Sequence, residues 1–304
     1  MKPLGYPSRV GFKDVTGPLV AGAHGQLNAL SFDIEGFVES NVQSFAIPGA
    51  YVGRAEEAYE IEENTQAIFE LLDAFELKAT FFFLASVVER VPGVVKTAAA
   101  LGHEVGVHGP DHVRVFDLPR GAFAQRLVST KGVLEEVAAA PVIGFRAPDF
   151  SITEDSTWAF DVLQESGFSY DSSVYPFAFH DVYGIEGAEP YVHRLPNGLV
   201  EFPLSTIELF GKRWPFGGGG YFRFAPLAVT DWLVRRTNSL GHPANVYMHP
   251  YEVGPIVPDV PTPSLLRRLR HYHNCRNGGA RLRRLLSSHS FGPIAEVLAR
   301  SGWL

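Results

Sequence analysis

The chain of 304 residues has a single cysteine, Cys275, so no intrachain disulfide can form, which fits a reducing compartment. It has no long apolar stretch either. The longest, Ala79 to Val88, is about half a membrane span and is broken by Thr80 and Ser86, so no membrane span is expected. Positive charge is in deficit: 26 Lys and Arg against 33 Asp and Glu leave a net charge of −7, which argues against a general nucleic-acid binder. The first residues, with scattered Lys2, Arg9, Lys13 and Asp14, have no continuous apolar core of the signal-peptide kind, and the expectation is a cytoplasmic protein. The glycine run Gly217–Gly220 is not followed by Lys-Ser or Lys-Thr, so it is not a phosphate-binding loop.

What is present is an ordinary globular composition, 46% apolar and 19% charged, on a chain long enough for a substantial core. Residues 1–25 are rich in Gly and Pro, show no period, and are expected to be a lead-in arm. From Leu27 on, short apolar runs alternate with helical spacing. Strands are predicted over 27–34, 78–84, 104–107, 142–146 and 244–248, and helices over 64–76, 92–101, 123–138 and 156–167. That rhythm builds a parallel sheet or barrel from βαβ units, in which functional groups collect at the C-terminal ends of the strands.

They do collect there. Asp33 and Glu35 close the first strand and, with a period of two, point to the same side. His108 and His112 bracket a Gly-Pro turn after another strand; Pro110 excludes a helical His pair, and a zincin spelling from His103-Glu104 fails because position 107 is Val107. Two imidazoles at that spacing can share one metal ion, and a third ligand is then needed from elsewhere. Arg146-Ala147-Pro148-Asp149 and His249-Pro250 end two further strands. Between them, the rings Trp214 and Tyr221 beside Gly219, and Tyr175 in an aromatic turn, offer a stacking face for a sugar. The acids Glu56, Glu57, Glu60, Glu62 and Glu63 would favour the N-terminus of the following helix, and a solvated face explains them as well as any binding role. The segment 255–304 has eight arginines against Asp259 and Glu296 and reads as a basic helical arm docked on an acidic body, the alternative being contact with an anionic group such as a nucleotide or lipid phosphate.

Together the strand ends Ser31-Phe32-Asp33-Ile34-Glu35, His108-Gly109-Pro110-Asp111-His112, Phe145-Arg146-Ala147-Pro148, Tyr170-Asp171-Ser172-Ser173 and Tyr247-Met248-His249-Pro250 resemble the motifs of the polysaccharide deacetylase superfamily, the NodB-homology group or carbohydrate esterase family four. Tyr183-Gly184-Ile185, the Gly218–Arg223 segment and the Arg-rich tail resemble a bacterial subgroup associated with exopolysaccharide and surface-glycan clusters. The resemblance implies an α/β fold, a distorted, incomplete (β/α) barrel of about seven strands over 26–254, short of a closed barrel's eight, with 255–304 packed on it as a helical extension. It also implies removal of an acetyl group from an N-acetylated sugar or glycan. Asp33 would be the general base and His249 the general acid. Glu35, His108 and His112 would hold a divalent metal, zinc first, with cobalt, nickel or manganese compatible. Arg146 would orient Asp33, Asp171 would support the polar network, and Pro148 and Asp149 would lie against the substrate. Two departures stand out: the second motif carboxylate is Glu35, one residue removed from Asp33, and Asp149 occupies a position the family gives to an aromatic. A metal-independent hydrolase of cyclic amides such as allantoin, and a silent glycan-binding protein, are the rival readings within the same fold.

Overall fold

The computed structural model describes residues 25–42, 45, 47, 51–177, 184–260 and 265–304, with the backbone alone at residue 267. The lead-in arm up to residue 24 and Tyr183 therefore lie outside the described residues.

Eleven strands are present among them: β1 (Asn28–Ile34), β2 (Thr80–Leu84), β3 (Glu104–Gly109), β4 (Gly144–Phe145), β5 (Tyr170–Asp171), β6 (His193–Arg194), β7 (Val200–Glu201), β8 (Thr206–Leu209), β9 (Lys212–Pro215), β10 (Asn245–Met248) and β11 (Phe291–Gly292). The main sheet runs β10-β1-β2-β3-β4-β5-β7-β6, parallel throughout except for the β6–β7 pair, while β8 and β9 form a separate hairpin. Helices cross between the successive parallel strands from β1 to β5, as the alternating periods predicted.

The sheet curls into an incomplete barrel, and hydrogen bonds across its open side show it. Strands β10 and β7 stand near opposite ends of the path, yet Asn245 Nδ2 on β10 donates to Phe202 O just after β7, at 2.9 Å, and Asn245 N donates to Ser205 Oγ at 2.6 Å. The path has eight strands, in line with the seven or so expected. Short strands such as β6 and β7 carry too few residues for a periodic signal to register.

Period-two alternation in β2 divides three fully buried phenylalanines between the two faces. Phe81 and Phe83 join the core packed beneath the helices, and Phe82 turns into the barrel, where the Arg146 guanidinium lies 4.4 Å from its ring centre. Each such burial stabilises by about 2–3 kcal/mol. Gly106 on β3 is glycine for the same reason: a Cβ there would collide with the Phe82 ring.

One sequence expectation is corrected and another is extended. The acids of 56–63 are part of a helix that starts at Ala55 and ends at Asp73, and Glu57 and Glu60 are fully buried instead of solvated. The C-terminal segment does more than dock helices. Helix Gly278–Ser288 buries Leu282, Leu285 and Leu286 in the main core, and β11 pairs with the start of β1, opposite Asn28 and Ala29.

Candidate active site

The barrel brings the predicted strand ends to one rim. Asp33 and Glu35 follow from β1, His108 and His112 from β3, Arg146 from β4 and His249 from β10. Asp33, Glu35, His108 and Arg146 are all essentially inaccessible to solvent.

Arg146 is the hub. Its Nη1 donates to Asp33 Oδ1 at 2.8 Å and to Ser31 Oγ at 2.7 Å, its Nη2 to Ser172 Oγ at 2.9 Å, and its Nε to Ser172 O at 3.1 Å. A guanidinium buried to this degree requires such a full set of acceptors. It ties β4 to β1, a strand it does not adjoin in the sheet, and holds Asp33 in one orientation.

Glu35 sits between three imidazoles. Its Oε2 is 3.1 Å from His112 Nε2 and 3.6 Å from His108 Nε2, and its Oε1 is 3.1 Å from His249 Nε2. Burial would raise the Glu35 pKa, but the charge of His112 and the contacts to His108, His112 and His249 hold it well below the usual carboxylate range. Conversely, burial lowers His112, and Glu35 outweighs it and carries His112 up to about 9.

These groups fit a divalent metal. Glu35, His108 and His112 each offer one donor atom, and the three atoms lie within 4.8 Å of one another. Glu35 Oε2 is buried with no hydrogen bond despite the nearby imidazoles, an orphan that a cation would satisfy. His108 Nδ1 lies 2.8 Å from Arg146 O; a carbonyl only accepts, so Nδ1 carries a hydrogen and Nε2, the nitrogen turned to Glu35, is the one available to a cation. Such an outer contact is the usual way to orient a metal-binding histidine. Two nitrogens and one carboxylate oxygen form a donor set that suits zinc and its neighbours.

His249 is held from behind. Its Nδ1 lies 3.0 Å from Glu252 Oε2, its own amide donates to the same oxygen at 2.9 Å, and Arg223 Nε donates to Glu252 Oε1 at 2.7 Å. Burial pulls the His249 imidazole down, but Glu252 and Glu35 outweigh it and bring it up to about 10. Glu252, raised by burial but lowered more by Arg223 and His249, falls to about 2. Sequence reasoning missed Glu252 and Arg223. The available signal was a glutamate three residues after His249 with Pro250 at the first helical position, a capping-box spacing.

A second missed group supports the Glu35 turn. Phe37 N donates to both oxygens of Glu60 at 3.2 Å and Glu39 N to Glu57 Oε1 at 2.8 Å, while Arg90 bridges Glu39 and Glu57. Burial, followed by the Glu57 charge, raises Glu60 well above its ordinary value.

The remaining predicted residues scatter. Asp171 is buried but turned to Ser173, whose Oγ donates to it at 2.6 Å, and to Glu201; burial and the Asp171 charge push Glu201 well up. Its influence on Arg146 runs through the neighbouring Ser172. Pro148 is buried beside Gly109. Asp149 has φ of 53° and is paired with Arg114 at 2.7 Å, at the rim beyond His112. Tyr175 is buried in an aromatic cluster with Phe150 and Leu204. Gly219 packs against Glu252, where any Cβ would strike the carboxylate, so its bareness serves His249's support instead of an open sugar face. Trp214 and Tyr221 lie apart, lining an apolar groove beside the β8–β9 hairpin.

Residues 55–169 match the model of the polysaccharide deacetylase family, and residues 172–299 match a domain of unknown function, DUF3473. The boundary between the two falls at β5, inside the continuous sheet. A curated relative, peptidoglycan-N-acetylglucosamine deacetylase of Bacillus cereus, is 25% identical over 184 residues, which is 54% of this chain and 65% of the relative. The chain thus spans just under two thirds of that relative's length. Among solved structures, a Mycobacterium smegmatis protein assigned as a polysaccharide deacetylase superposes with a TM-score of 0.58 at 20% identity over 99% of this chain and 96% of its own. Puue allantoinase superposes with a TM-score of 0.56 at 15% identity, covering 89% of this chain and 88% of its own. Both show the shared fold. Over residues 55–169 the chain is similar to the polysaccharide deacetylase family.

Proposed function

We propose that the protein is a metal-dependent hydrolase that removes an acetyl group from an N-acetylated amino sugar of a glycan or polysaccharide. The observation that carries this reading is the Glu35–His108–His112 cluster placed between a carboxylate fixed by Arg146 and an imidazole fixed by Glu252. Glu35, His108 and His112 would hold the metal, zinc first. Bound there, such an ion polarises the acetyl carbonyl and makes a water more acidic.

The chain's own residues supply the proton transfers. Asp33 accepts the proton of the attacking water, and Arg146 keeps its carboxylate aimed from a buried, fully hydrogen-bonded position. His249 protonates the departing amine through Nε2. Its Nδ1 contact with Glu252 fixes the ring and stabilises its charged form, which is the form a general acid needs. The products are acetate and a free amine on the sugar. A silent glycan-binding protein has no use for both Asp33 and His249, and a metal-free cyclic-amide hydrolase has none for the three-ligand cluster.

The test is acetate release from a panel of N-acetylated substrates, chitooligosaccharides and nucleotide sugars included, by protein stripped of metal and then supplied with zinc or cobalt. Release should return with metal and vanish in Asp33→Asn, while Glu35→Gln should abolish one-to-one metal uptake as read by elemental analysis. Hydrolysis of allantoin by the stripped protein, or failure of the wild-type chain to take up metal, would overturn the proposal.

A further inference from the structure

The β8–β9 hairpin turns at Phe210 and Gly211, whose φ values are 56° and 68°. Two-residue turns with both positions left-handed are built from Asn, Asp and Gly, and a bulky aromatic there is strained. Phe210 gains no packing in return, because it is fully exposed. Below this tip, Leu209 and Trp214 form one wall of an apolar groove of about 400 Å³, and Phe224, Val229 and Trp232 form the other. Trp214, Phe224, Val229 and Trp232 are each roughly half exposed.

The apolar face continues beyond the groove. The Phe224 ring stacks on His273 at 4.5 Å, and His273 borders a second depression with Leu265, Arg268, Leu269 and Tyr272. Leu265, Leu266 and Leu269 of helix Leu265–Tyr272 point mostly into solvent. Cations border this face on a chain whose net charge is −7: Lys212 follows the tip, Arg236 lies one turn after Trp232, and Arg270 sits on the leucine helix. The nearby acids are engaged, Asp259 with Arg268 and Asp231 with Arg235, and Glu208 projects from the other face of the hairpin, opposite Arg213.

We propose that this face docks on an anionic lipid surface, with Phe210 and the indoles of Trp214 and Trp232 entering the headgroup layer. Exposed indoles and a protruding phenylalanine bordered by Lys and Arg are what that layer recognises. No helix among the described residues is long and apolar enough to cross a membrane. The face also communicates with the rim of the barrel. From the groove, Tyr221 meets Tyr175 at 6.2 Å, Tyr175 meets Phe150 at 5.7 Å, Phe150 meets Tyr247 at 4.7 Å and Tyr247 meets His249 at 5.6 Å.

The experiment is co-sedimentation of the full chain with vesicles of phosphatidylcholine alone and with about a third phosphatidylglycerol. It reads binding and not catalysis, so it stands whether or not acetate is released. Binding to the anionic vesicles is expected, weakened by high salt, and Phe210→Ser with Trp232→Ser should reduce partitioning at least about tenfold while leaving the melting temperature unchanged. Absence of vesicle binding, or binding unaffected by the two substitutions, would overturn the proposal. A dimer in light scattering that the same substitutions dissociate, without vesicle binding, would assign the face to a second copy of the chain instead.

Discussion

Removing the Arg146 side chain should destabilise the protein far more than removing the carboxylate it holds. In Arg146→Met, a side chain of similar length keeps some of the packing over Phe82, but four polar contacts disappear, to Asp33 Oδ1, Ser31 Oγ, Ser172 Oγ and Ser172 O. Asp33 is about 1% exposed, so its charge is left in a low-dielectric site with no counter-ion. Breaking a buried pair from one side costs about 3–5 kcal/mol, whereas replacing both members by apolar groups is often close to neutral. Asp33→Asn leaves the amide oxygen to accept from Arg146 and should cost about 1–2 kcal/mol, much of it from the guanidinium's lost partner charge. The assay is urea unfolding followed by circular dichroism at neutral pH, completed as a cycle with Asp33→Leu and the double variant Asp33→Leu/Arg146→Met. The double variant should be more stable than Arg146→Met alone, giving a coupling energy of at least about 2 kcal/mol. A loss below about 1 kcal/mol in Arg146→Met, or additivity across the cycle, would refute the view that Arg146 and Asp33 form one buried unit.

Gly219→Ala should lower stability by about 1–3 kcal/mol, because the added methyl would displace the Glu252 carboxylate that holds His249 and Arg223. A calorimetric melt indistinguishable from wild type would show that Glu252 has room to move. Stability should also fall with acid through His103. Burial holds this imidazole at about 4 against 6.5, and it stacks on Phe69 at 5.4 Å and accepts from Ala79 N at 3.3 Å. With the folded pKa depressed, the unfolded chain binds the proton first. The contribution is therefore present above about pH 6.5 and is lost as pH falls toward 4, by on the order of 2 kcal/mol after discounting for partial exposure. In His103→Phe that part of the slope between pH 6.5 and 4 should vanish; an unchanged slope would assign it to other groups.

Much of the fold was legible in the chain order. The alternation of short buried strands such as Thr80–Leu84 with amphipathic helices such as Pro92–Ala100 is local information, set by the period of side-chain direction in each element. The same locality exposed Asp33, Glu35, His108, His112, Arg146 and His249. A βαβ rhythm predicts that strand ends share a rim, and charged or imidazole groups there have no bland structural reason to recur. What the sequence could not show is whatever depends on curvature or on distance across the barrel. That Asn245 reaches Phe202, that Arg146 crosses to Ser31 and Asp33, and that Gly219 is bare for the sake of Glu252 are consequences of sheet closure between positions far apart in the chain. The burial of Glu57 and Glu60 belongs to the same class, since a run of acids looks solvated until the neighbouring Glu35 turn is seen to donate its amides to them. Residue type and spacing determined which charged and imidazole groups this protein carries and which strand each would end. Tertiary structure alone decided which of them meet, because hydrogen-bond partners and the dielectric around each charge are set by through-space packing.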